Sequence, residues 1–101
     1  MPKDPIGPFA EQELLRVGRI VASVREWRDL GQEHLAEQAG ITARQVQRIE
    51  AGDGDPAISY YARLAQGLRV PLSWLFADDW RSLAGLDPHT HEGGEPAATA
   101  P

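Results

Sequence analysis

Residues 43–51 read ARQVQRIEA, which places two arginines and two glutamines, Arg44, Arg48, Gln45 and Gln47, within one short stretch. If this stretch is a helix, Val46 and Ile49 share one face. Ala43, Arg44, Gln47, Arg48 and Ala51 then point to the other side, with Gln45 near the edge. The outward groups are planar and rich in hydrogen-bond donors. A guanidinium fits the two acceptors of a guanine edge, and a carboxamide pairs with an adenine edge, so this set has the chemistry of major-groove reading. The N-terminal part of such a helix lies nearest the bases. Arg44, Gln45 and Gln47 are therefore the candidate base contacts, and Ala43 can touch a thymine methyl. Arg48, further along, suits a phosphate. Gln32 suits one too, through its side chain and the free amides at the start of a preceding helix.

That face is useful only if it is held away from the body of the protein. Two short helices cross steeply when their backbones come close and the link between them turns sharply. The sequence supplies both conditions. Ala36 is small where the second helix must lie against the first, and Gly40 accepts a positive φ that would strain a residue bearing a Cβ. Thr42 is a good N-cap, since its hydroxyl can accept from an orphan amide one turn on. Helices are expected at 32–39 and 43–51, with Leu35, Ala39, Ile41, Val46 and Ile49 turned inward.

The rest of the chain reads as support. A first helix is expected from residue 9 or 14 to 28, with Leu14, Val17, Val21 and Val24 on one stripe and Pro8 suited to its first position. Gly52 to Pro56 is a turn. A fourth helix should open at Pro56, capped by Asp55 or a neighbour, with Ile58, Tyr61, Leu64, Ala65 and Leu68 inward. A short fifth follows Pro71, with Leu72, Leu75 and Phe76 facing the core, and the stretch DDWRSLAGL can add a further turn. No run alternates β-branched residues, so the expected class is all-α, with five helices. Residues 1–8 are expected to be a flexible arm, 9–84 the folded domain, and 85–101 a disordered tail poor in large apolar side chains.

Composition narrows the function. A chain of 101 residues is expected to hold one domain at most, without room for a separate effector-sensing domain. It has no cysteine, which excludes disulfides, thiolate nucleophiles and Cys-based zinc sites and fits the cytoplasm. No apolar run approaches the roughly 20 residues of a membrane span, and no signal peptide is evident. The net charge of −5 argues against indiscriminate binding to nucleic acid. Most of that charge sits in the two ends, however: residues 14–76 carry eight arginines against seven acidic residues.

No catalysis, cofactor or metal is expected. Ser23, Ser59, Ser73 and Ser82 lack the flanking motifs of nucleophiles, and no glycine-rich phosphate loop is present. His34 stands alone, and His89 and His91 lie in the tail without a scaffold for further ligands. Asp53-Gly54-Asp55 lacks the later ligands of a calcium loop and reads as a turn. Trp27, Tyr60, Trp74 and Trp80 are aromatic side chains of the kind favoured at interfaces. Trp74 and Trp80 are the candidates for dimerisation.

Taken together, Val17-Gly18, Arg25, Arg28, Gln32-x-x-Leu35-Ala36, Gly40-Ile41-Thr42, Arg48-Ile49-Glu50-x-Gly52, Pro56 and Val70-x-Leu72-x-x-Leu75-Phe76 resemble the phage-repressor and Cro type of helix-turn-helix domain, the XRE family. The resemblance runs from about residue 17 to 76. It implies a lambda-repressor-like fold whose second and third helices form the helix-turn-helix. It also implies that Ala36, Gly40, Val46 and Ile49 frame the motif, and that Arg25 pairs with Glu50 to tie the first helix to the recognition helix. The function implied is sequence-specific binding of double-stranded DNA by a homodimeric regulator, a repressor acting on an inverted-repeat operator. Two departures weaken the expected grip: an acidic Asp53-Gly54-Asp55 loop where the family carries cationic or amide residues, and Gly31 in place of a Ser or Thr cap. The acidic loop and the tryptophans also motivate an alternative, an antitoxin or adaptor that uses the same fold to hold a protein partner.

Overall fold

In the computed structural model, which describes residues 6–86, Gly7 precedes α1 (Pro8–Trp27), and Pro8 takes the first helical position. Proline is tolerated there because its missing N–H would have no partner inside the helix. There follow α2 (Gln32–Ala39), α3 (Ala43–Glu50), α4 (Ile58–Leu68), a 3-10 helix (Leu72–Phe76) and α5 (Trp80–Leu83), with no strand among the described residues. The long α1 lies against α3, α4 and the 3-10 helix, while α2 is held between α3 and α4. Residues 87–101, with His89 and His91, lie outside the described residues, as do residues 1–5.

Apolar residues at helical spacing close one core. Val17, Ile20, Val21 and Val24 of α1 meet Leu35, Ala36 and Ala39 of α2, Val46 and Ile49 of α3, and Tyr61, Leu64, Ala65 and Leu68 of α4. Val70, Leu75 and Trp80 complete it, with Leu72 and Phe76 partly buried against it. Arg16 fastens the far side of α1, donating to the Phe76 carbonyl at 2.9 Å, to Asp78 at 3.0 Å and to Glu13 at 2.8 Å. The Arg16 hydrogen bond holds the Glu13 carboxyl below its ordinary range.

Three expectations are corrected. The fourth helix begins at Ile58, with Ala57 in an extended conformation as its N-cap and no side-chain cap, so Pro56 lies ahead of the helix and Asp55 does not cap it. Ile58 is 61% exposed. Its three-residue spacing to Tyr61 puts it on the apolar stripe, but as the first helical residue it lies beyond the core the stripe covers. Trp80 is 2% exposed and buried within its own domain. Its ring is 5.6 Å from that of Trp27 and 6.4 Å from that of Trp74, and such tilted aromatic contacts consume the surface a subunit contact would need.

Gly18 marks a close approach between α1 and α3. A Cβ there would run into the Ile49 carbonyl oxygen and come within 2.8 Å of that of Glu50, so α1 meets the backbone at the end of α3 through the one position that has no side chain to hold them apart. In an open helix Gly→Ala gains roughly 1 kcal/mol. Gly18→Ala is expected to do the opposite and lower the melting temperature. Gly31, by contrast, has open space around it and an extended backbone at the N-cap of α2. Gly31→Ser is expected to stabilise by about 0.3 kcal/mol by capping α2, a rise of about 1–2 °C in a domain of this size. Thermal denaturation of both variants checks the signs.

Candidate nucleic-acid interface

The turn between α2 and α3 is built from local chemistry. Gly40 adopts φ 72° and ψ 32°, the left-handed region that glycine enters without strain. The chain then doubles back, and the Ile41 N–H donates to the Ala36 carbonyl at 3.0 Å, satisfying a carbonyl at the end of α2. Arg63 of α4 donates to the Gly40 carbonyl at 3.3 Å, holding the turn from a third element. Thr42 then starts α3 with a capping box. The Gln45 N–H donates to Thr42 Oγ1 at 3.1 Å, and the Thr42 N–H donates to Gln45 Oε1 at 2.8 Å.

A partly buried ion pair fixes the other end of α3. Arg25 donates through Nε to Glu50 Oε2 at 2.6 Å and through Nη2 to Oε1 at 3.1 Å, a bidentate geometry. Its Nη1 donates to the Leu30 carbonyl at 2.8 Å, and Gln32 Nε2 donates to Glu50 Oε1 at 2.9 Å. The two charged side chains are only 13% and 8% exposed. The hydrogen bond to Glu50 raises the Arg25 pKa above its ordinary value, against the opposing effect of burial. One carboxylate therefore joins α1, α2 and α3.

The frame turns the polar flank of α3 outward. Arg44 and Gln47 are exposed, and among the described residues neither side chain makes a hydrogen bond. Ala43 is half-buried against the core, so only part of it faces out. Gln45 is half-buried and engaged twice: besides the capping box, its Nε2 donates to the Tyr60 hydroxyl at 3.0 Å. Arg48 is exposed, and its Nε lies 3.3 Å from Asp53 Oδ2. Gln32 spends a side-chain donor on Glu50, while the helix it begins has no side-chain cap. Gln45, Arg48, Asp53, Asp55, Pro56 and Tyr60 line an open cleft of about 200 Å³ beside α3. Of the dimer candidates, Trp74 is partly buried beside Trp27, with ring centroids 6.0 Å apart.

Two supporting side chains, Tyr60 and Arg63, hold the motif through contacts that pattern reading does not find, although Tyr60 is among the aromatics singled out above. Both act through partners 15 or more positions away in sequence, and no local motif marks them. Gly18 carried a weak signal: it interrupts an otherwise helical run of good helix formers. No helix among the described residues is long and apolar enough to cross a membrane.

Comparison with known proteins gives a concordant result. A helix-turn-helix family model matches residues 21–75. The chain is 35% identical over 88 residues to an uncharacterized transcriptional regulator in the ATPase CF(0) region of Rhodospirillum rubrum, covering 84% of this chain and 81% of that one. It is 32% identical over 62 residues to an uncharacterized HTH-type transcriptional regulator of Sinorhizobium fredii, covering 61% of this chain and 43% of the relative. The chain thus spans less than half the length of that rhizobial relative. Among solved structures, the restriction-modification controller protein C.AhdI from Aeromonas hydrophila superposes with a TM-score of 0.63 at 26% identity, covering 64% of this chain and 98% of that one. A Vibrio cholerae regulator with TM-score 0.66 and 24% identity, covering 75% of this chain and 43% of its own, shares the fold.

The ion pair makes a testable distinction. Glu50→Ala leaves Arg25 charged in a largely buried site and is expected to cost about 3–5 kcal/mol in urea denaturation. Replacing both partners, Arg25→Met with Glu50→Leu, is expected to recover most of that loss. Equal losses in the single and double variants would show that packing, not the uncompensated charge, sets the cost.

Proposed function

The chain belongs to the helix-turn-helix family, and on that footing we propose that it is a cytoplasmic transcriptional regulator that binds double-stranded DNA as a homodimer and represses by occupying an inverted-repeat operator. One observation carries the reading. Arg44 and Gln47 stand exposed on α3 without side-chain hydrogen bonds among the described residues, while Val46 and Ile49 on the same short helix are 0% and 3% exposed. A helix anchored so firmly on one side presents its other side in a fixed pose. Arg44 and Gln47 have the donor patterns that match guanine and adenine edges. Gln45 reads beside them, and the exposed part of Ala43 can meet a thymine methyl. Arg48 contacts phosphate, as does Gln32 with the uncapped amides at the start of α2.

A single short helix reads few base pairs. Two copies related by a two-fold axis place their recognition helices in successive major grooves about 34 Å apart, which sets the half-site spacing of the operator. The protein acts by binding, without catalysis. The ion pair between Arg48 and Asp53 favours the second reading, an antitoxin or adaptor that grips a protein, because it draws a surface cation away from the DNA backbone.

Selection of bound fragments from a random DNA pool, followed by gel shifts at two salt concentrations, separates the two readings. A DNA reader enriches a palindromic site and loses affinity steeply with salt, whereas an adaptor enriches nothing. On the selected site, Arg44→Ala and Gln47→Ala are each expected to cost about 1–3 kcal/mol of discrimination against random DNA. Unchanged discrimination would remove those assignments. Arg48→Ala is expected to weaken all sequences alike and to flatten the logarithmic salt slope by about 0.9. Asp53→Asn, which frees Arg48, is expected to tighten binding to all sequences.

A further inference from the structure

Gln45 differs from the other candidate readers in that both ends of its carboxamide are already held. The chemistry of its partners fixes which end is which. The Thr42 N–H can only donate, so the atom 2.8 Å from it is the carboxamide oxygen. The atom 3.0 Å from the Tyr60 hydroxyl is then the nitrogen, which can only donate, so Tyr60 Oη accepts. Gln45 keeps one N–H and one carbonyl lone pair for an outside partner. Tyr60, the third residue of α4, is half-buried with its ring packed against the core, so the acceptor comes from an anchored side chain on another helix.

An unrestrained glutamine presents either edge of its carboxamide, because a half-turn about its last torsion exchanges donor and acceptor. The exchange changes which base it recognises. The capping bond resists the half-turn from one end only, and such a bond contributes roughly 1 kcal/mol. A second bond, to a group fixed by α4, resists it from the other. We propose that Tyr60 is a positioning residue for base recognition: by accepting from Gln45 Nε2 it holds the carboxamide in one orientation, so that α3 offers a single donor and acceptor pattern to the base pair beneath Gln45. The inference rests on the reading of α3 as a DNA-reading helix. It adds a residue on α4, outside the helix-turn-helix, as a determinant of sequence preference.

Tyr60→Phe tests it, since the ring and its packing stay and only the acceptor is lost. In the protein without DNA, nuclear magnetic resonance of the Gln45 side-chain amide is expected to show two protons with unequal exchange against water, becoming alike in Tyr60→Phe. With wild-type-selected DNA carrying single base-pair substitutions, Tyr60→Phe is expected to lose about tenfold preference at one base pair in each half-site. Its salt slope should be unchanged, and in a Gln45→Ala background the same substitution should change nothing further.

Identical amide exchange in the two proteins would overturn the proposal at the level of the bond. Loss of the bond with unaltered preference at every base pair would overturn it at the level of recognition. Uniform weakening with a flatter salt slope would make Tyr60 a phosphate ligand instead, and would overturn it too. If the wild-type protein enriches no DNA fragment, the functional reading falls and takes the recognition role with it, while the exchange measurement still decides the bond.

Discussion

The geometry of the molecule depends on one contact, the meeting of α1 with the last turn of α3 at Gly18. Without a side chain at that position, α1 approaches the Ile49 and Glu50 carbonyls closely enough for the Arg25 guanidinium, two turns further along α1, to reach the Glu50 carboxylate in a bidentate pair. The two features need each other. A wider separation would strand a charge in a site only 8–13% exposed, and the unpaired charge would cost more than the close packing supplies. Because Glu50 also accepts from Gln32, the contact fixes the angle between α2 and α3 as well as the seat of α3 on α1.

Around that fixed point the polar groups divide by task. Those near the ends of α3 are spent internally: the Thr42 and Gln45 capping box at its start, Glu50 at its end, and Arg48 against Asp53 just beyond. Arg44 and Gln47, on the outward face, make no side-chain hydrogen bond among the described residues. The Arg48 pair is of a different kind from the Arg25 pair. Its side chains are 51% and 67% exposed, so solvent screens the attraction and it contributes little to stability. Its consequence is electrostatic: an anion beside the helix reduces the field that a phosphate backbone would meet.

Much of this was legible in the sequence where the responsible chemistry is local. Gly40, Thr42 and the apolar spacing of Leu35, Val46 and Ile49 located α2 and α3, because a left-handed turn, an N-cap and a buried stripe each need particular residues within a few positions. Local chemistry did not locate Trp80, which is buried because Trp27 and Trp74 happen to surround it. Nor did it place the start of α4, where Pro56 is an admissible first residue but the chain stays extended through Ala57. The engagement of Gln45 by Tyr60 was invisible for the same reason: the spacing identifies an outward edge, and only the fold shows that α4 reaches it. The charge count was misleading until partitioned, since the acidic excess lies mainly in the ends.

The contrast between anchored and unanchored side chains bears on how α3 can recognise anything. An exposed arginine or glutamine loses up to about 2 kcal/mol of rotamer freedom when a contact orders it, and that loss is subtracted from the contact. On the proposed reading Arg44 and Gln47 bear this cost in full, so their contribution would depend on forming two good hydrogen bonds at once, which a correct base supplies and an incorrect one does not. Gln45 bears less of it, because Thr42 and Tyr60 have already ordered it during folding. Its remaining donor and acceptor therefore favour a match at lower entropic cost, but offer fewer bonds. On that reading, a helix with both kinds of side chain would combine flexible groups that discriminate through bidentate geometry with a rigid group that discriminates through fixed orientation. Both depend on α3 keeping its pose, and hence on the space Gly18 leaves open.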